Sequence, residues 1–157
     1  MIVRAKTDSD RGALAAILKE HFAGETVVSR GRLHRPSDLE GFVAQEGGEV
    51  LGLLTYEIAD GAMEVVTLNA VVEGRGAGSV LLEAATAKAR ALGLARVWLV
   101  TTNENVRALG FYQRYGWDMV ALHRDALSVS RKLKPQIPMT GDDGIAIRHE
   151  IEFEFRL

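Results

Sequence analysis

Apolar and polar positions alternate along the chain in two different rhythms, and the changeover divides the sequence into recognisable elements. Ile2-Val3-Arg4 reads as a short opening strand. Leu14, Ile17, Leu18 and Phe22 then recur at helical spacing, with Asp8 or Ser9 placed to cap the helix. The uneven stretch from Val27 to Pro36, with Arg30, Arg32, His34 and Arg35 among glycine and serine, reads as a loop over the surface. Gly41 to Glu46 and Glu49 to Ile58 form two strands around the turn signal Gly47-Gly48. A second turn at Asp60-Gly61 leads into the apolar, β-branched run Met63 to Val71. Three strands in an antiparallel meander result.

Beyond Val71 the rhythm becomes helical. Gly74-Arg75-Gly76-Ala77-Gly78-Ser79 breaks the strand, and Val80 to Leu92 follows as a Leu- and Ala-rich helix with Gly93 at its C-terminal cap. Ala95 to Thr101 is a strand, Asn103 to Tyr115 a helix ended by Gly116, and Trp117 to Leu122 another strand. A short helix over Ala126 to Leu133 is stopped by Pro135 and Pro138. After the turn Gly141-Asp142-Asp143-Gly144, residues Ile145, Ile147, Ile151, Phe153, Phe155 and Leu157 alternate with Arg148, Glu150, Glu152, Glu154 and Arg156. This period-two pattern puts the first set in the core and the second in water. Antiparallel strands with one βαβ crossover among them predict an α+β fold with a mixed sheet.

Composition adds limits. The 157 residues are 47% hydrophobic and 25% charged, which suits one globular domain spanning 1–157. The absence of cysteine removes disulfides, thiolate metal sites and a cysteine nucleophile. No metal-ligand spacing is present. The N-terminus turns charged before a signal-peptide core can form, and no apolar run approaches the ~20 residues of a membrane span. The expectation is a cytoplasmic protein without a membrane partner. A net charge of −2 gives no electrostatic reason to expect nucleic acid.

The segment with chemistry in it is the strand, glycine turn and helix from Met63 to Leu82. The first N–H groups of a helix have no intrahelical partner, and the helix dipole adds partial positive charge there. Gly74, Gly76 and Gly78 let the backbone curl so that several N–H groups converge on one anion, and Arg75 could add a charged contact. A tight connection with no ligand is the plain alternative. A dinucleotide fingerprint is nearly matched, but Ser79 stands at its third glycine and the turn follows a meander. No G-K-[ST] follows, so a Walker phosphate loop is excluded.

These residues resemble the GNAT superfamily of acetyl-CoA-dependent N-acetyltransferases. Glu73-Gly74-Arg75-Gly76-Ala77-Gly78 is similar to its pyrophosphate loop, [Q/R]-x-x-G-x-[G/A], with Glu73 in place of Gln or Arg. Downstream, Asn105-Val106-Arg107-Ala108-Leu109-Gly110-Phe111-Tyr112-Gln113-Arg114-Tyr115-Gly116-Trp117 resembles the segment N-x-x-A-x-x-F-Y-x-x-x-G-[F/W]. The likeness covers about Ile2 to Leu122, leaving a C-terminal helix and strand, 123–157, as an extension. It implies a mostly antiparallel mixed sheet of about seven strands flanked by helices, with acetyl-CoA as co-substrate and no metal. The acceptor would be a small-molecule or peptide amine.

What the resemblance implies for residues is specific. The backbone of Leu68, Asn69 and Ala70 would face pantetheine, and Glu73, Gly74, Arg75, Gly76, Ala77, Gly78 and Ser79 would surround the pyrophosphate. Asn105, and less strongly Asn103, would hydrogen-bond the cofactor. Tyr112 would touch it as general acid toward the departing thiolate, a role a phenol protonated at neutral pH can fill. Its helical spacing with Ala108, Phe111 and Tyr115 equally suits a core aromatic. The base stays open among Glu57, Glu64, His34 and water. Arg30, Arg32, His34 and Arg35 lie where the family lines its acceptor site and could hold a carboxylate or phosphate. Two other readings stand beside this one: a non-catalytic acyl-CoA-binding module, and a nucleotide-dependent oxidoreductase. The alternating last strand offers a second subunit an edge, so a homodimer is a further expectation.

Overall fold

The computed structural model describes all residues, Met1–Leu157. Strands β1 (Ile2–Ala5), β4 (Glu40–Glu46), β5 (Glu49–Ala59), β6 (Ala62–Ala70), β7 (Arg96–Thr102), β8 (Asp118–His123) and β9 (Glu150–Arg156) form one sheet, in the order β1-β4-β5-β6-β7-β9-β8. Helices α1 (Arg11–His21), α2 (Ala77–Ala91), α3 (Val106–Tyr115) and α4 (Ala126–Leu133) flank it. Every pairing is antiparallel except β6 with β7. The expected seven-stranded mixed sheet is what forms. A parallel dinucleotide-binding array, and with it the oxidoreductase reading, has no counterpart here.

Alternation along the strands supplies two cores. Leu54, Met63, Val97 and Phe153 face α2, meeting its Leu81 and Leu82. Leu53, one residue away from Leu54, points through the other face with Val43 and Val66 and meets Leu14 and Leu18 of α1. Side-chain period two on the strands and helical spacing on α1 and α2 therefore account for both layers.

Two sequence expectations are corrected. The stretch from Val27 to Pro36 is a second small sheet, β2 (Val27–Ser29) paired with β3 (Arg32–His34), closed by a tight turn at Arg30-Gly31 with both residues at positive φ. Val27, Ser29 and His34 are buried, so this hairpin is a wall of the interior and no surface loop. The closing strand also starts at Glu150, later than expected, and Glu150 is 2% exposed where the alternation had put it in water. It is held there by Arg30, whose Nη1 donates to Oε1 at 3.1 Å. β9 lies between β7 and β8, inside the sheet.

One irregularity shapes everything that follows. Thr55 pairs with Thr67 and Tyr56 with Val65, so Val66 is an unmatched extra residue on β6. Such a bulge bends its strand. β6 accordingly stays beside β7 only over Ala62–Glu64, opposite Arg96–Trp98, and the two strands part beyond that point.

Candidate active site

The parting leaves an open strand edge on β6 from Val65 to Ala70, including Leu68, Asn69 and Ala70. Asn69 contributes a buried Oδ1 with no hydrogen-bond donor. At the far end of β6 the chain turns through Gly74 and Gly76, at φ 75° and 80°, into α2. Gly76 is the N-cap in the left-handed region, where a Cβ is disfavoured. The N–H groups of Gly76, Ala77, Gly78 and Ser79 make no hydrogen bond to the protein. Gly78 faces inward instead, where a Cβ would stand 3.3 Å from the Phe111 ring, so its role is to let α3 approach α2.

The charged residues of this loop are paired. Arg75 is tied to Glu46, and Glu73 to Arg107 at 2.6 Å, all at the exposed rim. The amide groups, with the positive end of the α2 dipole behind them, are the part of the loop left free for an anion.

Two asparagines follow the parted strand. Asn105 caps α3, its Oδ1 accepting from Ala108 N at 3.3 Å, while Nδ2 reaches Thr101 Oγ1 at 3.4 Å. Asn103 is engaged by the chain: Oδ1 accepts from the amides of Arg148 and His149, and Nδ2 donates to Ala146 O. It pins the segment before β9. Tyr112 is buried, its ring against Phe111, Trp117 and Phe153. Burial alone pushes its hydroxyl pKa upward, so the phenol keeps its proton throughout the physiological range.

Next to the parted strands lies a cavity of about 490 Å³. Val28, Val66, Val100, Leu127 and Ile147 give it apolar walls, while Ser29, Thr101, Asn105 and Glu150 supply polar groups. One side is closed by the segment after α4. Lys134, buried to 3% exposure, donates to the carbonyls of Phe22 and Thr26, and Arg131 Nη2 donates to Ile147 O at 2.8 Å.

Through Ser29 this cavity meets a charged cluster whose members come from four elements. Glu64, on the last paired position of β6, is 7% exposed. Ser29 Oγ donates to its Oε2, and His34 Nε2 is 3.8 Å from its Oε1. Burial, with the neighbouring Glu57 charge, pushes the Glu64 pKa up to about 7 against the pull of the Ser29 hydrogen bond. His34, 4% exposed, has Nδ1 at 3.0 Å from Glu57 Oε2 and a buried Nε2 without a partner. Burial lowers its pKa, so the ring is neutral near pH 7. Arg32 Nη2 donates to Glu57 at 2.9 Å. Arg30 and Arg32 are thus each paired with a carboxylate, Glu150 and Glu57, while their guanidinium groups stay partly exposed. Ser29 and Glu150 went unnoticed in the sequence. The tight turn at Arg30-Gly31 was the one local signal for the hairpin that brings Ser29 to Glu64.

A family model for acetyltransferases of the GNAT family matches residues 11–117. The chain belongs to that family. It is similar to YdhI, an uncharacterized protein of Bacillus subtilis strain 168, at 34% identity over 154 residues, 98% of this chain and 96% of that one. Among solved structures it resembles an IAA acetyltransferase from Bacillus cereus, with a TM-score of 0.74, 19% identity and 99% of each chain covered. It also resembles a GNAT family acetyltransferase from Elizabethkingia anophelis with acetyl-CoA bound, with a TM-score of 0.73, 17% identity, and 99% and 97% covered. GNAT membership agrees with the fold, and no helix of this acetyltransferase family member is long and apolar enough to cross a membrane.

Proposed function

We propose that this GNAT protein transfers an acetyl group from acetyl-CoA directly to a primary amine, without a covalent enzyme intermediate. The observation that carries the reading is the set of unpaired N–H groups, Gly76 to Ser79, at the mouth of α2 beside the parted edge of β6. Those amides suit a diphosphate. The open edge from Val65 to Ala70 suits an extended amide-bearing arm added like a strand, and the donorless Asn69 Oδ1 suits one of its N–H groups. Asn105 stands at the same opening, and Asn103, whose amide also holds Ala146, Arg148 and His149, is the weaker candidate beside it. Acetyl-CoA supplies an activated thioester carbonyl. The chain supplies orientation and proton handling.

Glu64 fits the base. A carboxylate titrating near 7 is matched to proton transfer at neutral pH. Ser29 both lines the large cavity and donates to Glu64, so the acceptor's proton reaches Glu64 through or beside the Ser29 hydroxyl. Tyr112 fits the acid that protonates the leaving thiolate.

A thermal-shift screen with CoA, acetyl-CoA and NAD, followed by acetyl transfer across an amine panel, tests this reading. A native-state ligand at a hundredfold excess over its Kd stabilises by about 2.7 kcal/mol, so CoA and acetyl-CoA should raise the melting temperature and NAD should not. CoA binding with no transfer to any amine would favour a non-catalytic module. Gly76→Ala probes the cradle itself. Its Cβ meets no atom within 4 Å, yet left-handed backbone costs a non-glycine residue about 1–2 kcal/mol. The turn should relax, and CoA affinity by calorimetry should fall about tenfold, the equivalent of ~1.4 kcal/mol. Unchanged affinity would remove the loop from the site.

A further inference from the structure

Acetylating an ammonium group releases one proton per turnover, and that proton has to leave a largely buried site. Glu64, which accepts from Ser29, also borders a second, smaller cavity of about 230 Å³, together with Glu57, Arg32, Asp60, Arg96 and Trp98. Ser29 lines only the large cavity and Glu64 only the small one, so the Ser29–Glu64 hydrogen bond joins the two. His34 stands over this junction. Its Nδ1 faces Glu57, and its unpartnered Nε2 faces Glu64 across 3.8 Å. The groups facing the ring are Arg32 on its own strand, Glu57 on β5 and Glu64 on β6.

We propose that His34 is a positioning residue for proton release, which accepts at Nε2 the proton Glu64 has taken, holds it as an imidazolium against Glu57, and returns it through Glu64 to water in the small cavity. The inference rests on Glu64 being the base. In the first step the Glu64 O–H bond breaks and the His34 Nε2–H bond forms, restoring the Glu64 carboxylate. In the second that N–H bond breaks as the Glu64 O–H bond re-forms, and the carboxyl group then gives the proton to water in the small cavity, leaving Glu64 as the carboxylate. Glu57 compensates the transient positive charge on the ring, and the neutral tautomer with Nδ1–H toward Glu57 is unchanged at the end of the cycle. A proton leaving on this side does not return past the acyl group.

His34→Ala and Glu57→Gln, measured with saturating acetyl-CoA and the best amine of the panel, test the proposal. Each should lower kcat by on the order of 10²-fold, the lower end of what a positioned proton-transfer group contributes, with KM for acetyl-CoA unchanged. Imidazole added to His34→Ala should restore rate in proportion to its free-base concentration, a response that loss of packing would not produce. A His34→Ala enzyme that keeps its kcat, or loses it and ignores imidazole, overturns the proposal. If His34→Ala does not fold, Glu57→Gln decides alone, and wild-type kcat in that variant overturns it. Glu64→Gln separates the two layers. Full activity there sinks the base assignment and this inference with it. An inactive Glu64→Gln beside fully active His34 and Glu57 variants sinks this inference only.

Discussion

Glu64→Gln should lower kcat by about 10²–10⁴-fold, the range associated with losing a positioned general base, while KM for acetyl-CoA stays near the wild-type value. Glutamine keeps the size of the side chain and still accepts from Ser29, so the loss isolates proton transfer. The pH profile gives the sharper check. Glu64 titrates near 7, and only its carboxylate accepts a proton, so kcat/KM should rise with pH through about 7. That limb should vanish in Glu64→Gln. Ser29→Ala should instead move it to higher pH, because the Ser29 hydroxyl favours the charged carboxylate and its removal leaves burial and the Glu57 charge to act unopposed. A profile with no limb near 7 in the wild-type enzyme would rule Glu64 out as the base.

Tyr112→Phe should also cost about 10²-fold or more in kcat, with CoA binding intact, if the phenol protonates the departing thiolate. The structure makes this substitution unusually clean. The ring keeps its neighbours Phe111, Trp117 and Phe153, and the hydroxyl has no protein partner to lose, so the melting temperature should stay within about 1 °C or rise slightly. Turnover unchanged at saturating acceptor would return Tyr112 to the role of a core aromatic.

How much of this was readable in the sequence depends on the distance over which each feature is determined. The meander, α2 and the glycine turn follow from local rules: period-two alternation, helical spacing, and positive φ at Gly74 and Gly76. The parted strands follow from an extra residue, Val66, which sits beside a second valine, Val65, with no glycine or proline near it to mark it as unmatched. The floor of the site is harder still. Ser29 meets Glu64 across 35 residues, and Arg30 meets Glu150 across 120. A carboxylate is taken for water-facing unless its distant partner is known, because burial is tolerable only once that partner arrives. Strands of only three residues give β2 and β3 too little alternation to be recognised. The same cause made Glu150 look solvated and hid the carboxylate partners of Arg30 and Arg32.

The place of β9 in the sheet bears on the order in which the molecule assembles. β8 is translated well ahead of β9, yet its only strand neighbour is β9. Until that neighbour arrives, β8 has no ladder to join and β7 exposes one whole edge. Long-range pairings of this kind close late and slow a chain's folding. The half of the sheet beyond β7 should therefore be the slow half, lagging behind the β4–β5–β6 meander, with the nascent protein open to wrong partners along that edge in the interval.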